Sequence, residues 1–260
     1  MIKESHLIFK KKSDLQSRKN LVIVRAGPAS LHKNYFHHDY AERSWDRMIL
    51  TYVDTDPDDL NFCEFLVQGG MSKWTDLSDL LKLGFFEEFN YDYIMIMDDD
   101  LLPNRASDFD VLFNYAKTFN FSVCQPSLSH DSFYSWEITL RSPSFHVRYT
   151  NFVECMAPIF SKSGLYKLQS EIDISISGCG LDLIFSEYFD LSISNIGIID
   201  DVWFNHTKPI DINGGAFYKH LRSNGVDPVS ETKEFLMRHN LKSKEIKTLG
   251  GVVKVKILEI

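Results

Sequence analysis

Short apolar runs alternate along this chain with stretches in which apolar residues recur every three or four positions, the rhythm of strands that feed helices. Tyr93 to Met97 (YIMIM) is the densest run and predicts a central strand buried on both faces, as in parallel sheets. Leu21 to Val24 predicts the first parallel strand, closed by the turn Arg25-Ala26-Gly27-Pro28. Met48 to Val53 predicts another, ended by the acidic turn Asp54 to Asp59, and Phe62 to Val67 a further one. Trp74, Leu77, Leu80, Leu81 and Phe85 share a helical face, so a helix precedes the central strand. Beyond that strand, Ser107 is placed to cap a helix carrying Phe109, Leu112, Phe113 and Ala116, and Phe121 to Cys124 returns as a strand.

His146 to Phe160 alternates in part and predicts a long strand, with Phe152, Glu154 and Met156 on one face and Asn151, Val153 and Cys155 on the other. Ser161 can cap a short helix reaching Leu168, and Leu181, Ile184, Phe185, Tyr188 and Phe189 line another. Asn195 to Ile199 predicts a strand from which Asp200 to His206 leads back to the sheet rim. A helix near Glu231 to Arg238 and an edge strand at Val252 to Leu258 complete the pattern. Strand, helix, strand in this order is the unit of α/β proteins. The expected fold is therefore α/β, a mostly parallel sheet flanked by helices, with residues 1–19 an extension, 20–212 the main domain and 213–260 its C-terminal extension.

Composition narrows the partners. The 28 Lys and Arg against 36 Asp and Glu give a net charge of −8, which argues against a nucleic-acid partner. Cys63, Cys124, Cys155 and Cys179 are far apart and form no CxxC pair, so reduced thiols in a cytoplasmic protein are expected. Leu7 to Phe9 is too short for a signal-peptide core, and no segment approaches a membrane span. Lys10 to Lys12 with Arg18-Lys19 offers at most a peripheral contact with an anionic membrane surface.

The candidate chemistry begins where the central strand ends. Asp98, Asp99 and Asp100 stand side by side and repel one another unless a cation or hydrogen-bond donors compensate. The carboxyl end of a strand is where open α/β sheets bind ligands, although an acidic turn explains the run as well. Arg25 projects from the same rim, to hold a phosphate or base edge or to make a structural salt bridge. Glu154, costly on an apolar face unless paired, is a candidate with Asn151 for holding hydroxyl groups. Asp182 opens a helix just after Gly178-Cys179-Gly180, where the helix dipole alone also favours an acid. His206 is either a metal ligand or a structural histidine. Gln125 to Pro143 is turn-rich, and its Phe133, Tyr134 and Trp136 suit a loop over a pocket.

Several motifs recur in a known order: NLVIVRAG at Asn20 to Gly27, YDYIMIMDDDL at Tyr91 to Leu101, RYTNFVECMAP at Arg148 to Pro158, SGCGLD at Ser177 to Asp182 and IGIIDDVWFNHTKP at Ile196 to Pro209. On these, from Asn20 to Leu241, the chain resembles the family of unknown function numbered 707 and the larger GT-A glycosyltransferase class. The resemblance implies a Rossmann-like GT-A fold and transfer of a sugar from a nucleotide-sugar donor to a glycan or lipid-linked acceptor. Asp98 and Asp100 match the DxD motif, whose first Asp faces the ribose and whose last binds Mn²⁺ or Mg²⁺, with Asp99 between them and Arg25 on the nucleotide side. Asp182 matches the acceptor base of an inverting enzyme, and His206 the histidine that completes the metal shell. The first strand departs from the class, VRAG standing where a Pro-aromatic start is common. Hard carboxylate ligands suit either ion, and one imidazole tilts the choice toward manganese. Two rival readings are an Asp-dependent phosphohydrolase and a catalytically silent nucleotide- or sugar-binding module.

Overall fold

The apolar runs form the middle of one sheet. The computed structural model describes residues 7–11, 18–37, 43–52, 59, 61–193, 195–241 and 245–255. Among these, eleven strands pair: β1 (Ile8–Lys11), β2 (Asn20–Ala26), β3 (Trp45–Thr51), β4 (Phe65–Gln68), β5 (Tyr93–Asp98), β6 (Leu101–Pro103), β7 (Val123–Leu128), β8 (Phe145–Thr150), β9 (Ile159–Ser161), β10 (Ile196–His206) and β11 (Thr248–Val253). Their order is β1-β4-β3-β2-β5-β9-β7-β10-β8-β11, with β6 paired to the end of β10. β4, β3, β2 and β5 run parallel, as do β7 and β10, while β9 lies antiparallel between β5 and β7. β1 extends the sheet from within the N-terminal extension.

Side chains alternate across the strands and so build two cores. Leu21 and Ile23 pack with Trp74, Leu77, Phe160, Phe185 and Phe235 on one face, and Val22 and Val24 with Tyr35, Trp45, Phe109 and Phe204 on the other. The helices among the described residues are α1 (Lys33–Phe36), α2 (Lys73–Lys82), α3 (Phe85–Glu88), α4 (Asp108–Thr118), α5 (Lys162–Lys167), α6 (Gln169–Ile172), α7 (Leu181–Tyr188), α8 (Ala216–Ser223) and α9 (Pro228–Arg238). No helix among the described residues is long and apolar enough to cross a membrane.

Four expectations change. The long strand at His146 to Phe160 is broken: β8 ends at Thr150, whose Oγ1 donates to Phe152 O at 2.7 Å, and the chain turns irregularly before β9. Ser107 makes no side-chain cap; Asp108, the first helical residue, instead ties the preceding turn, its Oδ2 accepting from Arg105 N at 3.0 Å. β10 runs on through Asp200 and Asp201 to His206, because a register shift between Ile199 and Trp203 absorbs the irregularity. β11 lies at Thr248–Val253, earlier than expected. Ser161 caps α5 as expected, its Oγ accepting from Gly164 N at 3.0 Å. Of the acidic turn only Asp59 is described; Val53, residues 54–58 and residues 256–258 lie outside the described residues.

Beside the sheet, Arg43 Nη2 and Arg47 Nη2 meet buried Glu64 Oε1 at 2.6 and 3.0 Å, and Arg47 N donates to Oε2 at 2.8 Å. Burial alone would raise the Glu64 carboxyl, but Arg47 and Arg43 outweigh it and bring it from 4.5 to about 2. A depressed native pKa stabilises fully above the unfolded value and is lost as pH falls toward the native one. Acid unfolding monitored by circular dichroism should therefore show a stability loss between pH 4.5 and 2 that Glu64→Gln removes, at a cost of about 3 kcal/mol at neutral pH. An unchanged acid limb in that variant would contradict the assignment.

Candidate active site

The parallel ladder of β2 and β5 ends with Arg25 opposite Asp98, so the acidic run sits at the carboxyl end of the central strand. The chain then turns through Asp99 and Asp100 into β6, which pairs antiparallel with β10 in a register that sets Leu101 opposite His206. Asp100 O accepts from Thr207 N at 3.1 Å and Oγ1 at 2.9 Å, which fixes the turn against β10. The result is that Asp100 Oδ1 and His206 Nε2, far apart in sequence, lie 3.4 Å apart.

The histidine is oriented from behind. Its Nδ1 donates to Phe133 O at 2.8 Å, which in the neutral ring leaves the Nε2 lone pair aimed at Asp100. Asp100 Oδ1 is buried without a hydrogen-bond partner, and 3.4 Å is long for an N–H···O bond. That spacing suits two adjacent ligands each ~2.0–2.2 Å from one cation, and a backbone carbonyl on the far imidazole nitrogen is the usual support of a metal-bound histidine. Burial pushes Asp100 up, but His206 and Lys208 outweigh it and hold it below the usual range; burial lowers His206, and Asp100 outweighs that and raises it. Among the described residues no group of three or more His, Cys, Asp or Glu side chains forms a cation cage, so the remaining ligands would come from substrate and water. The pair fits a Mn²⁺ or Mg²⁺ ion held in that way.

The other two carboxylates are held differently. Asp99 Oδ2 accepts from Gly27 N at 2.8 Å, and Lys208 Nζ stands 3.9 Å from Oδ1. Asp98 Oδ1 receives Lys73 Nζ at 2.6 Å, and the same ammonium donates to Cys155 O at 2.7 Å. Burial raises both Asp98 and Asp99, with repulsion from Asp100 adding to it, yet 44 % of the Asp98 side chain stays open to solvent. Lys73 escaped the sequence reading. Ser72 caps α2 through Trp74 N and Thr75 N, and this makes Lys73 the first helical residue, where the helix dipole opposes a cation. A lysine at such a position is the signal that could have found it.

Asp182 is set by the loop before α7. Glu231 on α9 accepts from Ser175 Oγ at 3.0 Å and from Ile176 N and Ser177 N at 2.9 Å each. Gly178 and Gly180 follow with φ of 82° and 92°, conformations that suit glycine, and α7 begins. The Asp182 charge is felt by Glu154, Cys155, Cys179 and Tyr218. Glu154 is 6 % exposed, its N donates to Gln125 Oε1 at 2.5 Å, and its Oε2 is buried without a partner. Burial first, then Asp182 and Asp98, push its carboxyl up to about 8 against the pull of His206 and Ser135, so it holds a proton at neutral pH. Tyr218 on α8 is raised by burial first and then by the charges of Cys179, Asp98, Glu154 and Asp182.

Two further candidates are engaged by the protein's own groups. Arg25 forms a buried ion pair with Asp76, donates from Nη2 to Gly70 O at 2.8 Å and lies 4.8 Å from the Tyr52 ring centre. Its guanidinium is used as a structural brace rather than held ready for a nucleotide. Asn151 donates to Glu245 O at 2.7 Å and accepts from Lys247 N at 2.8 Å, so its amide anchors the C-terminal segment. A separate cavity lined by Trp136, Arg148, Lys247 and Thr248 includes none of the acidic cluster. The orphaned oxygens and the converging charges, not that cavity, mark the chemistry.

No protein-family profile matches the chain, and no curated protein matches it. Among solved structures it is similar to S. aureus TarS 1–349, with 12 % identity over 85 % of this chain and 71 % of that one, at a TM-score of 0.46. It is similar also to a putative nucleotide-diphospho-sugar transferase from Desulfovibrio desulfuricans G20 (12 % identity, 84 % of this chain and 98 % of that one, TM-score 0.41) and to A197 from STIV (14 %, 75 % and 86 %, TM-score 0.38). Likenesses of this degree carry no argument about function, and the assignment rests on the site.

Proposed function

We propose that this protein is a GT-A type glycosyltransferase that moves a sugar from a nucleotide-sugar donor to a hydroxyl acceptor with inversion. The observation that supports it is the meeting of Asp100 Oδ1, buried and without a hydrogen bond, with a His206 ring fixed through Phe133 O. Asp100 and His206 would hold Mn²⁺ or Mg²⁺, which when bound neutralises the leaving diphosphate as a Lewis acid. Lys73 offsets the charge of Asp98, and Asp99 ties the cluster to the Gly27 turn after β2. Asp182 accepts the acceptor hydroxyl proton as its oxygen bonds to the anomeric carbon and the bond to diphosphate breaks. Glu154, protonated and unpartnered at Oε2, supplies a donor and an acceptor for a substrate hydroxyl.

Thermal-shift measurements with nucleoside diphosphates, with and without Mn²⁺, test this reading, since a ligand of the native state raises the melting temperature. The wild type should respond to a diphosphate only when Mn²⁺ is present. Asp100→Asn and His206→Ala should each lose that response while folded. A response equal with and without the ion would remove the metal site.

A further inference from the structure

The loop between β7 and β8 keeps two aromatic rings out of the core on a rigid base. His206 N donates to Ser132 Oγ at 3.1 Å, Phe133 N donates to His206 O at 3.1 Å, and His206 Nδ1 returns to Phe133 O at 2.8 Å. Phe133 and Tyr134 are nevertheless 46 % exposed each, and among the described residues neither stacks on another ring. Trp136 of the same loop packs on Phe152, ring centroids 5.3 Å apart, two residues before Glu154, whose Oε2 is buried without a hydrogen-bond partner. One short loop thus carries two open aromatic faces, holds the candidate metal ligand His206 and packs on the segment that carries Glu154.

We propose that Phe133, Tyr134 and Glu154 form the acceptor subsite and that its occupant is a pyranose unit of a glycan, stacked on the rings with one hydroxyl on Glu154. The proposal rests on the transferase reading and narrows its acceptor. Aromatic faces take the apolar C–H face of a pyranose, and a carboxyl group matches a hydroxyl in both donor and acceptor roles. A lipid-linked phosphate fits poorly, because Ser129 to Leu140 contains no Lys or Arg to pair with it.

Saturation-transfer NMR with a panel of methyl pyranosides, in the presence of Mn²⁺ and a nucleoside diphosphate, tests it. At least one glycoside should bind the wild type. Phe133→Ala and Tyr134→Ala should each weaken it by about threefold to tenfold, the range for one aromatic contact. Glu154→Gln, which keeps the shape and one donor, should weaken it less than either. The Mn²⁺-dependent nucleotide shift should stay at the wild-type level in Tyr134→Ala, and circular dichroism should show that both ring variants fold. The proposal is overturned if no glycoside binds, if binding survives loss of both rings, or if geranyl phosphate binds through these rings in preference. Glycoside binding through the rings in a wild type that shows no nucleotide shift would sink the transferase reading and leave a carbohydrate subsite standing.

Discussion

Asp182→Asn is expected to bind nucleoside diphosphate and Mn²⁺ like the wild type and to lose sugar transfer by a factor on the order of 10² to 10⁴, the contribution of a positioned general base. The separation follows from where the residues come from. Asp100 and His206 are held by β6 and β10, whereas Asp182 stands in the first turn of α7, positioned by a loop that Glu231 secures from α9. Asn preserves size and helix start, so the fold and the donor side should not register the change. Initial rates, together with the melting shift of the same sample, check both halves. A near-normal rate in the folded variant would dismiss Asp182 as base and favour retention, and proton NMR of the new anomeric centre would decide between the two outcomes.

The central strands were legible because a buried parallel strand leaves a run with no polar position. YIMIM became β5 and LVIV the middle of β2. The acidic cluster was legible because three adjacent carboxylates are an electrostatic cost that demands compensation. What supplied part of that compensation was not legible. Lys73 reaches Asp98 across 25 positions and Glu231 reaches Ser177 across 54, and a single long-range polar contact leaves no periodic trace. The anchoring of Asn151 was hidden for a related reason: its partners, the backbone of residues 245 and 247, carry no side-chain signature at all. α8 went unseen because its apolar face, Phe217, Tyr218 and Leu221, spans little more than one turn directly after Gly214-Gly215. Glu154 was singled out for lying on an apolar strand face, yet its segment is irregular; burial without a partner is what distinguishes it.

The glycine loop before Asp182 makes a second large effect predictable, one of stability. Gly178 has a φ of 82°, and a Cβ there would come within 1.9 Å of Trp74 Nε1 and 2.4 Å of Trp74 Cδ1, on a ring that is 1 % exposed in the core. Gly178→Ala therefore combines left-handed strain of about 1 kcal/mol with overpacking of about 1 to 3 kcal/mol, a fall in Tm of roughly 5 to 15 °C. Gly225→Ala is the control, because its φ is 78° and nothing lies within 4 Å of the added Cβ, so only the strain remains. Equal melting temperatures for the two variants would mean that Trp74 yields without cost. If Trp74 does resist, the damage should reach the acidic cluster as well. Trp74 follows Lys73 in α2, whose ammonium binds Asp98, and Gly178 precedes Asp182, so one added methyl group presses on both sides of the proposed reaction. Gly178→Ala should then lose transfer at temperatures where it is still folded, whereas Gly225→Ala should not.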